Sequence, residues 1–256
     1  MTPILGAPGW CRLRRLWRVL RAVYNRGMRE HMELPPNPCA NVDFHGTRRR
    51  RVEAGPERLR EWRAVLTLSP GMRDLQLFML LTGMRRTASV EARVDHFDQE
   101  RGCLRVPNPK GGESRAFDLP LSDALLDLVR HRIEENGIID ADSPWLFTSN
   151  SASGHVAEVR VDTLGGLVGH ALRHLYATLA LEAGVPIAEL KFLLNHAISS
   201  GGVKMGYLNP SLAHLRGWQE KATARILSGI ALAWLSSQWP PSEAFKTNTT
   251  VTVTPR

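Results

Sequence analysis

Lysine is scarce in a chain that is otherwise strongly basic. Of 33 lysine and arginine residues only five are lysine, namely Lys110, Lys191, Lys204, Lys221 and Lys246. Lys110 therefore stands alone among arginines over the first 190 residues; codon bias explains the arginines but not the exception. Long apolar runs are missing too. No stretch approaches the roughly 18 uninterrupted apolar residues of a transmembrane helix. The N-terminus has neither the apolar run nor the small-residue cleavage site of a secretory signal. Segment 10–30 is arginine-rich and acid-poor, as a transit peptide can be, but Trp17, Leu20, Val23 and Tyr24 read better as a packing stripe. Cysteine is limited to Cys11, Cys39 and Cys103, odd in number and without paired spacing. That leaves no disulfide or zinc framework and points to a reducing compartment. No glycine-rich nucleotide-binding motif occurs. Tyrosine appears only at Tyr24, Tyr176 and Tyr207.

What remains is a composition of 43% apolar and 23% charged residues over 256 positions, which describes a globular domain with extensions. The net charge of +8 and pI near 10.0 favour a polyanionic partner. Charge alone does not establish one, since many basic proteins bind no nucleic acid.

The pattern along the chain is mainly helical. Residues 12–31 read as a basic amphipathic helix stopped by Pro35-Pro36-Asn37-Pro38. Asn41 to Arg51, ending in Arg48, Arg49, Arg50 and Arg51, reads as an exposed linker, either a solvated charge run or one that tracks phosphates. Helical spacing returns at 56–67 and 71–82, closed by Thr82-Gly83, with a poorer helical signal beyond Arg86. The period then changes: 103–106 and 115–119 flank Asn108-Pro109-Lys110-Gly111-Gly112 as a β-hairpin with its turn at the lysine. A helix follows from Ser122, its N-cap, to Asn136. From Gly169 to Ala183, Leu172, Leu175, Tyr176 and Leu179 recur on one face, with His170, Arg173 and His174 on the opposite one. Gly184 suits the C′ position and Pro186 the first turn of helix 187–194. Helix 211–233 carries Leu212, Leu215, Trp218, Ala222 and Ile226, and 238–256 reads as a loose tail.

The chemistry-bearing residues are Arg85 at a helix end, Lys110 at the hairpin tip, His170 and Arg173 on one helix, His196, and Tyr207 eleven residues later. Guanidinium forks match phosphate oxygens and stay charged at any working pH. A phenol with a reference pKa near 10 becomes a nucleophile only when cations and a base stabilise its phenolate. Lysine can lose its proton to act as a general acid where arginine cannot, which is a chemical reason for the solitary Lys110. Taken singly, each piece has a blander reading: a surface arginine, a solvated turn lysine, a loop aromatic. His170, His174 and His196 could also suggest zinc, but the central glutamate of a His-Glu-x-x-His helix is absent and Arg173 would sit beside the metal. His174 reads as a buried or supporting histidine.

The ordered set Thr82-Gly83-Met84-Arg85-Arg86, the hairpin lysine, His170-Ala171-Leu172-Arg173-His174, Leu193-Leu194-Asn195-His196 and Gly206-Tyr207 resembles the tyrosine recombinases of the phage-integrase type. The resemblance covers roughly residues 56–230. It implies an α+β, mainly α fold, a helical catalytic domain with a small antiparallel β-hairpin or sheet. It implies residues 1–38 as the remnant of an N-terminal core-binding domain, 39–55 as a basic linker, 56–235 as the catalytic domain and 236–256 as a tail. By the family's roles, Arg85 and Arg173 would clamp the scissile phosphate, Lys110 would protonate the leaving 5′-hydroxyl, and His170 would accept or relay the tyrosine proton. His196 would hydrogen-bond the phosphate, and Tyr207 would form the 3′-phosphotyrosyl link. No metal or nucleotide cofactor is implied. The implied partners are double-stranded DNA, met also by Arg86 and the Arg48–Arg51 run, and further copies in a tetramer on DNA, in a bacterial cytoplasm with no membrane contact.

Two departures stand out. The family usually carries an acidic residue three positions after the first arginine; here it is Ala88, unless Glu91 or Asp95 substitutes. Only about the last helix of the usual N-terminal module is seen, at 12–31, which reads as a natural truncation or gene fragment. Both favour a second reading, a weak or inactive DNA-binding remnant. A type IB topoisomerase-like relaxing activity is a third.

Overall fold

The basic amphipathic period at the N-terminus does form a helix, α1 (Trp10–Glu30). The structure, a computed structural model, describes residues 10–40, 59, 62–159, 167, 169–196 and 210–230. The expected linker run Arg48–Arg51, Tyr207 and the tail 238–256 lie outside these residues. The chain divides into two compact units, Met1–Arg51 and Val52–Arg256.

In the first unit the proline-rich turn folds back on α1. The Arg21 guanidinium donates to the carbonyls of Cys39 and Ala40, and the Asn37 amide donates to Arg21 O and Asn25 Oδ1. The stripe Trp17, Leu20 and Val23, expected to pack, is exposed instead. Tyr24 is half-buried and donates to Pro35 O at 3.1 Å.

In the second unit the described helices are α2 (Pro70–Thr82), α3 (Arg86–Val90), α4 (Asp123–Ile139), α5 (His170–Glu182), α6 (Ile187–Leu193) and α7 (Leu212–Gly229). Between α3 and α4 lies a three-stranded antiparallel sheet in the order β1 (Phe97–Asp98), β2 (Cys103–Val106), β3 (Phe117–Pro120). The fold is thus mainly helical with a small antiparallel sheet.

Local chemistry sets most boundaries. Pro70 opens α2, where its missing N–H costs nothing, and Gly83 at φ 61° closes it with its N–H on Met79 O. A Cβ at Gly83 would come within 2.8 Å of Leu194 Cδ2, so close approach as well as φ demands glycine there. Gly184 ends α5 in the same left-handed conformation, at φ 82°. Three expectations change. Residues 62–67 form a 3₁₀ turn, not an α-helix. Lys110 sits in a long connection that includes a further 3₁₀ turn, Glu113–Arg115, because β3 starts only at Phe117. Ser122 occupies the N-cap of α4 but does not cap with its side chain. Its hydroxyl accepts from Thr223 at 2.9 Å, and Glu220 of α7 instead takes the Asp123 N–H at 2.7 Å.

The core lies where α5 packs on α2 and α7. Leu172, Leu175, Tyr176 and Leu179 are fully buried, as their spacing predicts, each stabilising by roughly 1.5–3 kcal/mol on leaving water. Several polar groups in this core are paired, although among the described residues Gln76 Oε1 and Arg132 Nε are buried without a hydrogen-bond partner. The Tyr176 hydroxyl donates to Gln219 Oε1 at 2.8 Å, and the Gln219 amide donates to Leu81 O at 2.7 Å. Buried Arg132 of α4 meets Asp74 of α2 at 3.5 Å and Asn136 Oδ1 at 2.8 Å. Such a pair specifies which helices meet more than it adds net stability.

Candidate active site

The C-terminal ends of α2 and α6 meet the first turns of α5, and one side chain joins them. Arg173 Nη1 donates to Gly83 O and Nη2 to Leu194 O, each at 2.7 Å. Placing a guanidinium on carbonyls at two helix C-termini is favourable, since both are unsatisfied acceptors at the negative end of a helix dipole. Arg173 is only 5% exposed, which corrects its assignment to the polar face of α5. Two of its five N–H donors are thereby committed, and the others remain for an anion. Burial first, then the charge of Arg85, pushes its pKa down to about 10, while the neighbouring Tyr176 works the other way. The guanidinium therefore stays charged at neutral pH.

Arg85 is half-buried at the N-cap position of α3, and among the described residues its guanidinium has no hydrogen-bond or ion-pair partner. Ala88, one turn on, packs against the core and lines a cavity of about 180 Å³. Neither suggested substitute braces Arg85: Asp95 holds Arg93 in a two-point pair at 2.9 Å, and Glu91 is an exposed residue on the cavity wall. Arg86 is exposed and donates to Ala157 O at 3.3 Å.

Lys110 and His170 are both exposed, and the charge of Lys110 acts on His170. Partial burial depresses the His170 pKa, and the charges of His174, Arg173, Arg85 and Lys110 depress it further. His196 is depressed by partial burial and then by Arg173, Arg85, Arg115 and Lys191. Two imidazoles on separate segments thus feel the same two arginines. A site with this crowding of positive charge keeps its histidines neutral, able to accept a proton, and attracts an anion to its centre. His174, expected to be a buried or supporting histidine, is exposed; its Nε2 lies 3.1 Å from His170 Nε2, so one ring donates and the other accepts. Among the described residues no group of three or more histidine, cysteine, aspartate or glutamate side chains could hold a metal ion.

The end of α6 is built with similar economy. Asn195, at φ 44°, is the sole described non-glycine residue with positive φ, and asparagine tolerates that conformation better than most. Its N–H meets Phe192 O, and that of His196 meets Lys191 O, both at 2.9 Å, closing the helix and fixing where His196 leaves it. Arg115 and this turn bond to each other, a contribution with no signal in the sequence beyond an asparagine just past a helix end.

A pH dependence follows from the two histidines. Both bind protons more weakly in the folded chain than at the ordinary value of 6.5. The unfolded chain therefore takes up more protons as pH falls below 6.5, so their contribution to stability is full above 6.5 and lost on acidification through the folded pKa values. Imidazole NMR titrations should place both below 6.5, and saturating phosphate anion should raise both. Values at or above 6.5 in the free protein would show that the cations do not converge.

The chain belongs to the phage integrase family, whose model matches residues 67–210. That stretch carries the tyrosine recombinase catalytic domain and includes Arg85, Lys110, His170, Arg173 and His196. It is similar to the tyrosine recombinase XerA of Pyrococcus horikoshii, 29% identical over 175 residues, covering 63% of this chain and 59% of that relative. The prophage integrase IntF of Escherichia coli is 29% identical over 182 residues, covering 67% of this chain and 38% of the relative. The chain thus spans well under two thirds of the length of these relatives. An integrase from mycobacterium phage Brujita shares the fold, with a TM-score of 0.51 at 16% identity over 84% of this chain and 75% of that one.

Proposed function

We propose that this chain cuts and rejoins double-stranded DNA at specific sites through a 3′-phosphotyrosyl intermediate, with Tyr207 as nucleophile. The supporting observation is the convergence of Arg85 and Arg173 on both His170 and His196, with Lys110 pressing on His170. In this reading Arg85 and the uncommitted N–H groups of Arg173 hold the non-bridging oxygens, and His196 donates to one of them. His170 takes the phenolic proton as the Tyr207 oxygen attacks phosphorus. The bond from phosphorus to the 5′-oxygen breaks, and Lys110 gives that oxygen a proton. In the second half an incoming 5′-hydroxyl loses its proton to Lys110 and attacks phosphorus, the bond from phosphorus to the tyrosine oxygen breaks, and His170 returns its proton to that oxygen. Stabilisation of the charge on the phosphorane by fixed cations is the largest catalytic contribution. Arg86 and the Arg48–Arg51 run would contact flanking phosphates, and the working assembly would be a tetramer on DNA in the cytoplasm.

A second reading, a DNA-binding remnant without cleavage, draws on Ala88 and the unbraced Arg85. Incubation with a nicked duplex that lets the cleaved fragment diffuse away separates the two. A denaturing gel should show covalent adduct, equally in EDTA and in magnesium, because the charge stabilisers are side chains. Adduct that requires a divalent ion would overturn the mechanism. Binding without any adduct would favour the remnant, and Ala88→Glu, directed toward the neighbouring cavity, would then be the variant to assay.

A further inference from the structure

The hairpin connection that carries Lys110 is tied to the turn that carries His196. Arg115 Nη2 donates to Asn195 O at 3.0 Å and to Asn195 Oδ1 at 3.2 Å, and Asn195 Nδ2 donates back to Arg115 O at 3.0 Å. The exchange is reciprocal, between residues 80 apart, and both side chains are half-buried, where such bonds are less diluted by water. Two further features lock it to its neighbours. The stem of Arg115 runs so close to Gly111, the residue after Lys110, that a Cβ there would lie 2.7 Å from Arg115 Cδ. On the other side, Asn195 holds its left-handed conformation between Leu194, whose carbonyl takes Arg173, and His196. The connection therefore runs Lys110–Gly111, Arg115, Asn195–His196.

We propose that Arg115 and Asn195 are positioning residues that latch the Lys110 connection to the α6 end, holding the leaving-group acid in register with the phosphate site. This rests on the recombinase reading for its catalytic consequence, but not for the latch itself. Neither residue touches the reacting atoms. Without the latch, the connection 107–116 loses its polar ties to the helical part of the site, while the sheet, the Arg173 bonds and the core are left as they are.

Two variants test it. Arg115→Met keeps a stem against Gly111 and removes the guanidinium. Asn195→Gly keeps the positive φ at no strain and removes the amide. In amide hydrogen exchange, both should accelerate exchange at 107–116 at least several-fold, with 172–180 in α5 unchanged. Unchanged exchange at 107–116 in both variants overturns the latch, whatever the activity. For the catalytic consequence, cleavage of a normal phosphodiester is compared with one whose bridging 5′-oxygen is sulfur. Sulfur leaves without needing a proton, so a misplaced Lys110 is masked on that substrate. Both variants should be about 10–100-fold slower on the normal linkage, less than the roughly 10²–10⁴-fold of losing general-acid help outright, and within a few-fold of wild type on the sulfur linkage. Equal defects on both substrates overturn the positioning role, since a loosened fold or weaker DNA binding would slow both. Absence of adduct in the wild-type protein would count against the recombinase reading alone, and hydrogen exchange would still decide the latch.

Discussion

Tyr207→Phe is expected to abolish covalent protein–DNA adduct while leaving equilibrium DNA binding nearly unchanged. The substitution removes one oxygen, the atom that would attack phosphorus, and keeps the ring. Elimination supports the choice, since the chain has only three tyrosines. Tyr176 is fully buried, its hydroxyl is held by Gln219, and burial raises its pKa well above the ordinary phenol value despite the nearby Arg173. A phenol that resists ionisation inside a core cannot serve as the nucleophile. Tyr24 donates to Pro35 O within the first unit. The informative contrast is Tyr176→Phe, which leaves Gln219 Oε1 buried without a donor and should cost about 1–3 kcal/mol of stability. It should still form adduct below its unfolding temperature. Both variants are read on one denaturing gel with thermal unfolding alongside. Adduct that persists in Tyr207→Phe, mapped by peptide mass spectrometry to another residue, would show that the nucleophile lies elsewhere.

Residues whose role depends on local pattern were legible in the sequence. The repeat of Leu172, Leu175, Tyr176 and Leu179 marked the buried face of α5 because a helix exposes its period directly. Gly83 and Gly184 marked helix ends because positive φ is a local demand. The two-residue strand β1 was not legible, since Phe97-Asp98 is too short to show an alternation. Arg173 was misplaced for a different reason. On its own helix it sits between buried and exposed faces, and only the arrival of two foreign helix ends, with Gly83 O and Leu194 O, encloses it. The same holds for Glu220 at the start of α4 and for Arg115 with Asn195, whose partners are 97 and 80 residues away. Polar contacts between distant segments leave no period in a sequence. Lys110 was singled out on chemical grounds instead, as a lone lysine among arginines at the turn of an expected hairpin.

Arg173→Lys is expected to lower cleavage about 10²–10³-fold, the range seen for loss of one donor that stabilises transition-state charge. It should also destabilise the fold by about 1–3 kcal/mol, the usual cost of leaving a buried acceptor unmet. The two losses have one cause. The guanidinium fork reaches Gly83 O and Leu194 O at 2.7 Å with two nitrogens and still has N–H groups left. An ammonium is a single point on a shorter stem. It can satisfy one carbonyl well, or turn toward the phosphate, but it cannot span both helix ends and clamp an anion. Charge is conserved in this substitution, so a defect reports geometry and not loss of positive potential. Arg173→Met removes the charge as well and should be worse in cleavage, with a comparable loss of stability. Cleavage is therefore measured at a temperature where the urea unfolding curves show all three proteins folded, and is normalised to bound DNA. If Arg173→Lys unfolds earlier but cleaves at the wild-type rate once folded, Arg173 is a strut between α2 and α6, and Arg85 carries the phosphate alone. If stability is unchanged, the paired carbonyl contacts contribute little, and the burial of Arg173 needs another explanation. Loss of both together is the result that joins the architecture to the chemistry, because the group holding α2 and α6 together would then also hold the reacting phosphate.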